Sequence, residues 1–168
     1  MVMSPTPESV RVTHVAAFVV VRSTILIHRR SPNRRFLPSA WDLVGGRIEP
    51  DESPLEALRR EVREETGVAV QHVGPWITRS SFELEGARCV EIGALVWCES
   101  DRFELEASKS IAFAFVEDPK PFADDNEIRG YGRHLEQPLH TALLALDTAP
   151  SDGRQKERTE SICQPSGT

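Results

Sequence analysis

One stretch constrains this chain more than any other: Gly45 to Val68, GGRIEPDESPLEALRREVREETGV. Its punctuation predicts a helix. Ser53 is a good N-cap, Pro54 suits the first helical position, and Glu56, three residues after Ser53, completes a capping box. Gly67 supplies the C-terminal stop. At about 100° of rotation per residue, Glu61, Glu64 and Glu65 share one face. Leu55, Leu58 and Val62 make an apolar stripe beside them that would dock the helix onto a sheet. Arg60 stands four residues from both Glu56 and Glu64 and is expected to pair with one of them. Clustered carboxylates repel by a few tenths of a kcal/mol per pair, which a solvated face tolerates. The clustering becomes useful where hard divalent cations sit among them, because Mg2+ and Mn2+ prefer carboxylate and water oxygens.

Gly46, five residues, Glu52, seven residues, Arg60-Glu61-Val62, one residue, Glu64-Glu65, one residue and Gly67-Val68 match the Nudix box at every defined position. A chance match in a chain of this size is on the order of one in a million. The chain therefore resembles the Nudix hydrolase family, MutT-like members included. The resemblance implies an α/β/α sandwich around a mixed β-sheet over residues 11–147. It also implies metal-dependent cleavage of a nucleoside diphosphate linked to another moiety. Carried over by position, Glu61, Glu64 and Glu65 would bind Mg2+ or Mn2+, together with the Gly45 carbonyl. Arg60 would orient a carboxylate, Glu52 would support the site from its loop, and the general base would be Glu61 or Glu64, as in some relatives, or an acid on a distant loop, as in others. Many relatives have Pro where this chain has Val44. MutT-like relatives also carry a Glu near the start of a later strand, whereas the matching stretch here, Ser108 to Phe113, has no acid. Glu104, Glu106 and Glu85 are the substitutes at hand.

The rest of the chain reads as a frame for that helix. Val12 to Val21 is apolar and β-branched, as in a buried central strand, and Thr24 to His28 continues as a second after a turn at Arg22-Ser23. His14 is expected to be a partly exposed structural residue. The loop HRRSPNRRFLPSAW carries four arginines, and Arg binds phosphate oxygens in a bidentate way. Arg34 and Arg35 read equally as phosphate contacts or as solvated loop. Arg30, just after the second strand, resembles the position of a substrate-contacting Arg in nucleotide-pyrophosphatase relatives. Trp41 to Gly46 then leads into the box, with Trp41 read as packing. Val73–Leu84, Arg88–Cys98 and Ser110–Val116 read as strands, and Asp118-Pro-Lys-Pro as a rigid turn. Residues 122–136 stay unassigned; Asn126 there is a turn former or, by resemblance, a base reader. Pro138 can open a final helix with Leu139, Leu143 and Leu146 on one face. Residues 1–10 and 148–168 are expected to be a loose N-terminus and a disordered tail.

Composition excludes some function classes. A net charge of -6 argues against a nucleic-acid polymer as main partner. No apolar run reaches membrane-spanning length, and Met1 to Val10 lacks the features of a signal peptide, so a cytoplasmic protein is expected. Three cysteines without a Cys-x-x-Cys pair indicate neither a disulfide framework nor zinc. The expected partner is a small nucleotide, a nucleoside triphosphate before a nucleotide sugar or other derivative, since small size and a single domain are similar to triphosphate pyrophosphohydrolases. A sensor that binds without cleaving is the rival from another class. Homodimers are frequent among relatives, and no residue here demonstrates one.

Overall fold

The computed structural model describes residues 10–148. Strands β1 (His14–Val21), β2 (Thr24–Arg30) and β3 (Trp41–Arg47) precede helix α1 (Pro54–Thr66), followed by β4 (Val70–Leu84), β5 (Ala87–Cys98) and β6 (Ser110–Val116), then α2 (Lys120–Ile128) and α3 (Glu136–Thr148). The six strands form one sheet in the order β4-β5-β1-β3-β2-β6. β1 runs parallel to β5, with Val15 beside Ile92, while β3 lies antiparallel to β1 and β2. The sheet is therefore mixed, and β1 at its centre is apolar on both faces, as the run VAAFVV requires.

Each face carries a helix. Val15, Ala17, Val19, Val44 and Ala94 pack against Ala57, Leu58 and Val62 of α1. Ala16, Phe18, Ile27 and Leu95 on the opposite face pack against Leu139 and Ala142 of α3, with Leu143 and Leu146 at the margin. An α/β/α sandwich results, as expected.

Local signals that lie close in the sequence are realised in α1. Ser53 and Glu56 bond reciprocally as a capping box, and Gly67 ends the helix at φ 74°, the left-handed region that favours glycine. The apolar stripe is narrower than expected. Leu55 is 43% exposed, and Ala57 takes its place against the sheet. Trp41 to Gly46, the lead into the box, lies within strand β3, its glycines serving close backbone approach. A Cβ on Gly45 would lie 2.1 Å from the Val15 carbonyl of β1. The prolines after Asp118 open α2 instead of making only a turn, with Pro119 at the N-cap and Pro121 in the first turn. Pro138 sits inside the first turn of α3, which begins at Glu136. The expected loose terminus and tail lie outside the described residues, except for Val10 and for Thr148, which closes α3. So does Cys163; Cys89 and Cys98 are free thiols. No helix among the described residues is long and apolar enough to cross a membrane.

Candidate active site

Docking α1 by Leu58 and Val62 turns its acids toward the glycine-rich end of β3. The fit is close. A Cβ on Gly46 would stand 2.4 Å from Glu61 Oε1, so the carboxyl occupies the space a side chain would fill. The Gly45 N–H donates to Glu65 Oε2 at 3.0 Å. Glu61 and Glu65 are buried, while the Glu64 side chain is 42% exposed. Burial raises the Glu61 pKa against the pull of Arg60. Burial likewise pushes Glu65 up to about 8, with Gly45 N–H opposing and the charges of Glu61 and Asp42 adding to the rise. Burial thus favours the protonated form of Glu65.

Two cations balance this face. Arg60 reaches Glu52 through Nε at 2.8 Å and Nη2 at 3.0 Å, Glu61 through Nη1 at 2.8 Å, and Glu64 at 3.6 Å. Its partner is thus chiefly Glu52, with Glu64 more distant, and Glu56 is spent in the capping box. Glu52 also accepts from the Glu49 N–H at 3.0 Å, which folds the loop before α1. The bonds to Arg60 hold the Glu52 carboxyl below the usual carboxylate range. The second cation is Lys109, from the turn before β6, with Nζ 3.1 Å from Glu64 and 3.1 Å from Glu106. Among the described residues no three His, Cys, Asp or Glu side chains converge as a preformed metal cage. Arg60 and Lys109 hold the acids by ion pairs instead.

Three further groups were not singled out from the sequence. His28, fully enclosed on β2, places Nδ1 2.5 Å from Ser110 Oγ, Nε2 3.2 Å from the Leu43 carbonyl and Nε2 3.8 Å from Glu65. Burial lowers its pKa, so it stands neutral behind Glu65. A histidine inside the apolar run TILIHRR was the available signal. Glu91 on β5 is pushed up to about 7 by burial, with the Asp42 charge adding. Lys109 gave no local sign, because its partner Glu64 is 45 residues away.

The expected substrate residues have other contacts. Arg30 ends β2, donates to Asp42 at 3.1 Å and to the Phe36 carbonyl at 3.0 Å, and lies over the Phe36 ring. Arg35 is 91% exposed and pairs with Glu85 at 3.1 Å. Asn126 is buried, and both ends of its amide are taken by the Trp41 backbone, accepting from N–H at 2.9 Å and donating to C=O at 2.9 Å. It clamps α2 to the start of β3. Trp41 itself packs edge-on against Phe122. Two surface hollows lie elsewhere, one beside Glu136 and His140 on α3, the other beside Arg59 and His72.

A family model described as the NUDIX domain matches residues 10–153. The chain belongs to the Nudix family. The Nudix box expected from the sequence is therefore the helix and cradle just described. Among solved Nudix structures, the MutT protein of Methanosarcina mazei superposes with a TM-score of 0.60 at 27% identity, covering 81% of this chain and 92% of that one. The uncharacterized Nudix hydrolase YfcD of Salmonella typhi is 37% identical over 94 residues, which are 54% of this chain and 50% of that protein. A CTP pyrophosphohydrolase of Escherichia coli is 28% identical over 107 residues, 54% of this chain and 78% of that one. The chain thus spans about half the length of the curated relatives it first matches.

Proposed function

We propose that this Nudix protein hydrolyses a phosphoanhydride in a nucleoside diphosphate derivative, with a nucleoside triphosphate as substrate and the monophosphate and pyrophosphate as products. The observation that carries the reading is the acid face of α1 set against Gly45 and Gly46, where Glu61 fills the space a side chain at Gly46 would need. The donor set suits Mg2+ or Mn2+: Glu61, Glu64, Glu65 and the Gly45 carbonyl supply only oxygen. When bound, such ions neutralise the diphosphate and lower the pKa of water at the site.

The chain's own residues do the rest. Arg60, locked to Glu52, is a positioning residue that fixes the direction of Glu61. Glu64, the most open of the three acids, serves in this proposal as the base that takes a proton from water. Glu65, buried against Gly45 and His28, exchanges its proton for a cation. The exposed Arg35 offers a guanidinium group to phosphate, whereas Arg30 is engaged by Asp42 and the Phe36 carbonyl and Asn126 by the Trp41 backbone. A cytoplasmic setting suits a nucleotide substrate.

Similarity to the CTP pyrophosphohydrolase favours the triphosphate over a nucleotide sugar. The test is a panel of nucleoside triphosphates and nucleoside diphosphate derivatives assayed with and without Mg2+, with product identification. Mg2+-dependent release of pyrophosphate supports the proposal. Release of a sugar phosphate from a diphosphate sugar would move the substrate to that class. Tight nucleotide binding without turnover would make the protein a sensor.

A further inference from the structure

The segment between β5 and β6 folds back over the C-terminal end of α1. Glu104 N–H donates to the Thr66 carbonyl at 2.8 Å, and the N–H groups of Lys109 and Ser110 both bond to the Glu106 carbonyl, at 2.8 and 2.9 Å. That turn aims Lys109 at the acid face. Its ammonium stands between Glu64 of the helix and Glu106 of the turn, 3.1 Å from each, on a side chain only 22% exposed. Lys120, which serves as a surface tether to Asp124, is by contrast 65% exposed.

Burial alone would lower the Lys109 pKa, yet the bonds to Glu64 and Glu106 raise it, so the group stays charged. One ammonium thus pairs with a helix acid and a turn acid at once. A carboxylate from each of two elements, facing one another, is an oxygen pair that a divalent ion can bridge. Here a side chain bridges it. An ammonium lodged there repels any divalent ion a few Å away, and in a half-buried setting that repulsion is only partly screened.

We propose that Lys109 is a built-in monovalent cation that takes the place of one divalent ion between Glu64 and Glu106. The protein consequently holds fewer divalent ions than its acids could, and binds the remaining ones more weakly. This inference rests on the metal-dependent reading of the site given above.

Titration of the full chain with Mn2+, without nucleotide, followed by the electron paramagnetic resonance signal of free Mn2+, tests it. Lys109→Glu is expected to bind one more Mn2+ per chain than the wild type. Lys109→Gln is expected to tighten Mn2+ binding about tenfold by removing one unit of repulsion. Lys109→Arg keeps the wild-type count and affinity. The pairs made by Lys109 are open to solvent on one side, so the variants should fold, and melting curves verify it. If the wild type binds Mn2+ and both Lys109→Glu and Lys109→Gln match it in count and affinity, Lys109 is only a tether. If none of the chains binds Mn2+, the metal reading of the site falls, and this inference with it.

Discussion

Two arginines in this molecule each gather several acids, and only one gathering lies at the candidate site. Arg60 holds Glu52, Glu61 and Glu64 beside the glycine cradle of β3. Arg133 holds Asp124, Glu127 and Glu136 between α2 and α3. In pairwise chemistry the two are alike. They differ in what lies beneath. Glu61 is buried against Gly46, and burial raises its pKa, whereas Asp124 and Glu136 are part-exposed, with 38% and 41% of their side chains accessible, and their pKa values are lowered by bonds to Lys120 and Arg133. An acid whose charge is costly is one for which a cation has something to offer, so burial, not the count of ion pairs, separates a site from a surface network.

The largest contrast should come from removing one acid from each network. Glu64→Gln is expected to lower hydrolysis at least about 100-fold, while Glu127→Gln leaves it unchanged, as a steady-state pyrophosphate assay reads directly. Equal effects would break the comparison.

The glycines of β3 sharpen it. Gly46→Ala pushes a methyl group into the Glu61 carboxyl, which sits at the end of a flexible side chain, so hydrolysis should fall about tenfold with little change in melting temperature. Gly45→Ala meets the Val15 backbone instead and should cost about 2 kcal/mol of stability in urea titration.

Arginine replacement comes next. Arg60→Ala frees Glu61 and Glu52 together and should lower both activity and melting temperature, whereas Arg133→Ala should leave activity intact.

A pH-dependent effect is expected at Glu91, half-buried, without an arginine partner among the described residues, and pushed up to about 7 by burial. Between the ordinary glutamate value and 7 the folded chain binds a proton that the unfolded chain has released. Its contribution to stability is therefore present at low pH and is lost as pH rises through that window. Glu91→Gln should raise the melting temperature more at pH 8 than at pH 5, by an amount equivalent to roughly 2 kcal/mol. A gap that stays constant with pH would mean that Glu91 remains ionised in the fold.

Legibility followed sequence distance. The α1 helix with both its caps could be read because each signal spans three or four residues, and the two hydrophobic runs of β1 and β2 because they alternate with turns. β3 escaped because adjacent glycines, which mark a loop in isolation, here let β1 and Glu61 approach its backbone. α2 escaped because its opening prolines are also turn residues. Asn126 looked like a turn former or base reader, and only its placement 85 residues from Trp41 shows what its amide holds.

The sequence by itself determined the helix, the identity of its three acids and the family to which they point, since helical periodicity and capping act within a few residues. Tertiary structure alone decided which acids are buried, that Glu52 is Arg60's main partner, and that Lys109 stands against Glu64. Those outcomes depend on desolvation and on contacts between distant segments, and both exist only once the sheet has brought β3, α1 and the turn before β6 together.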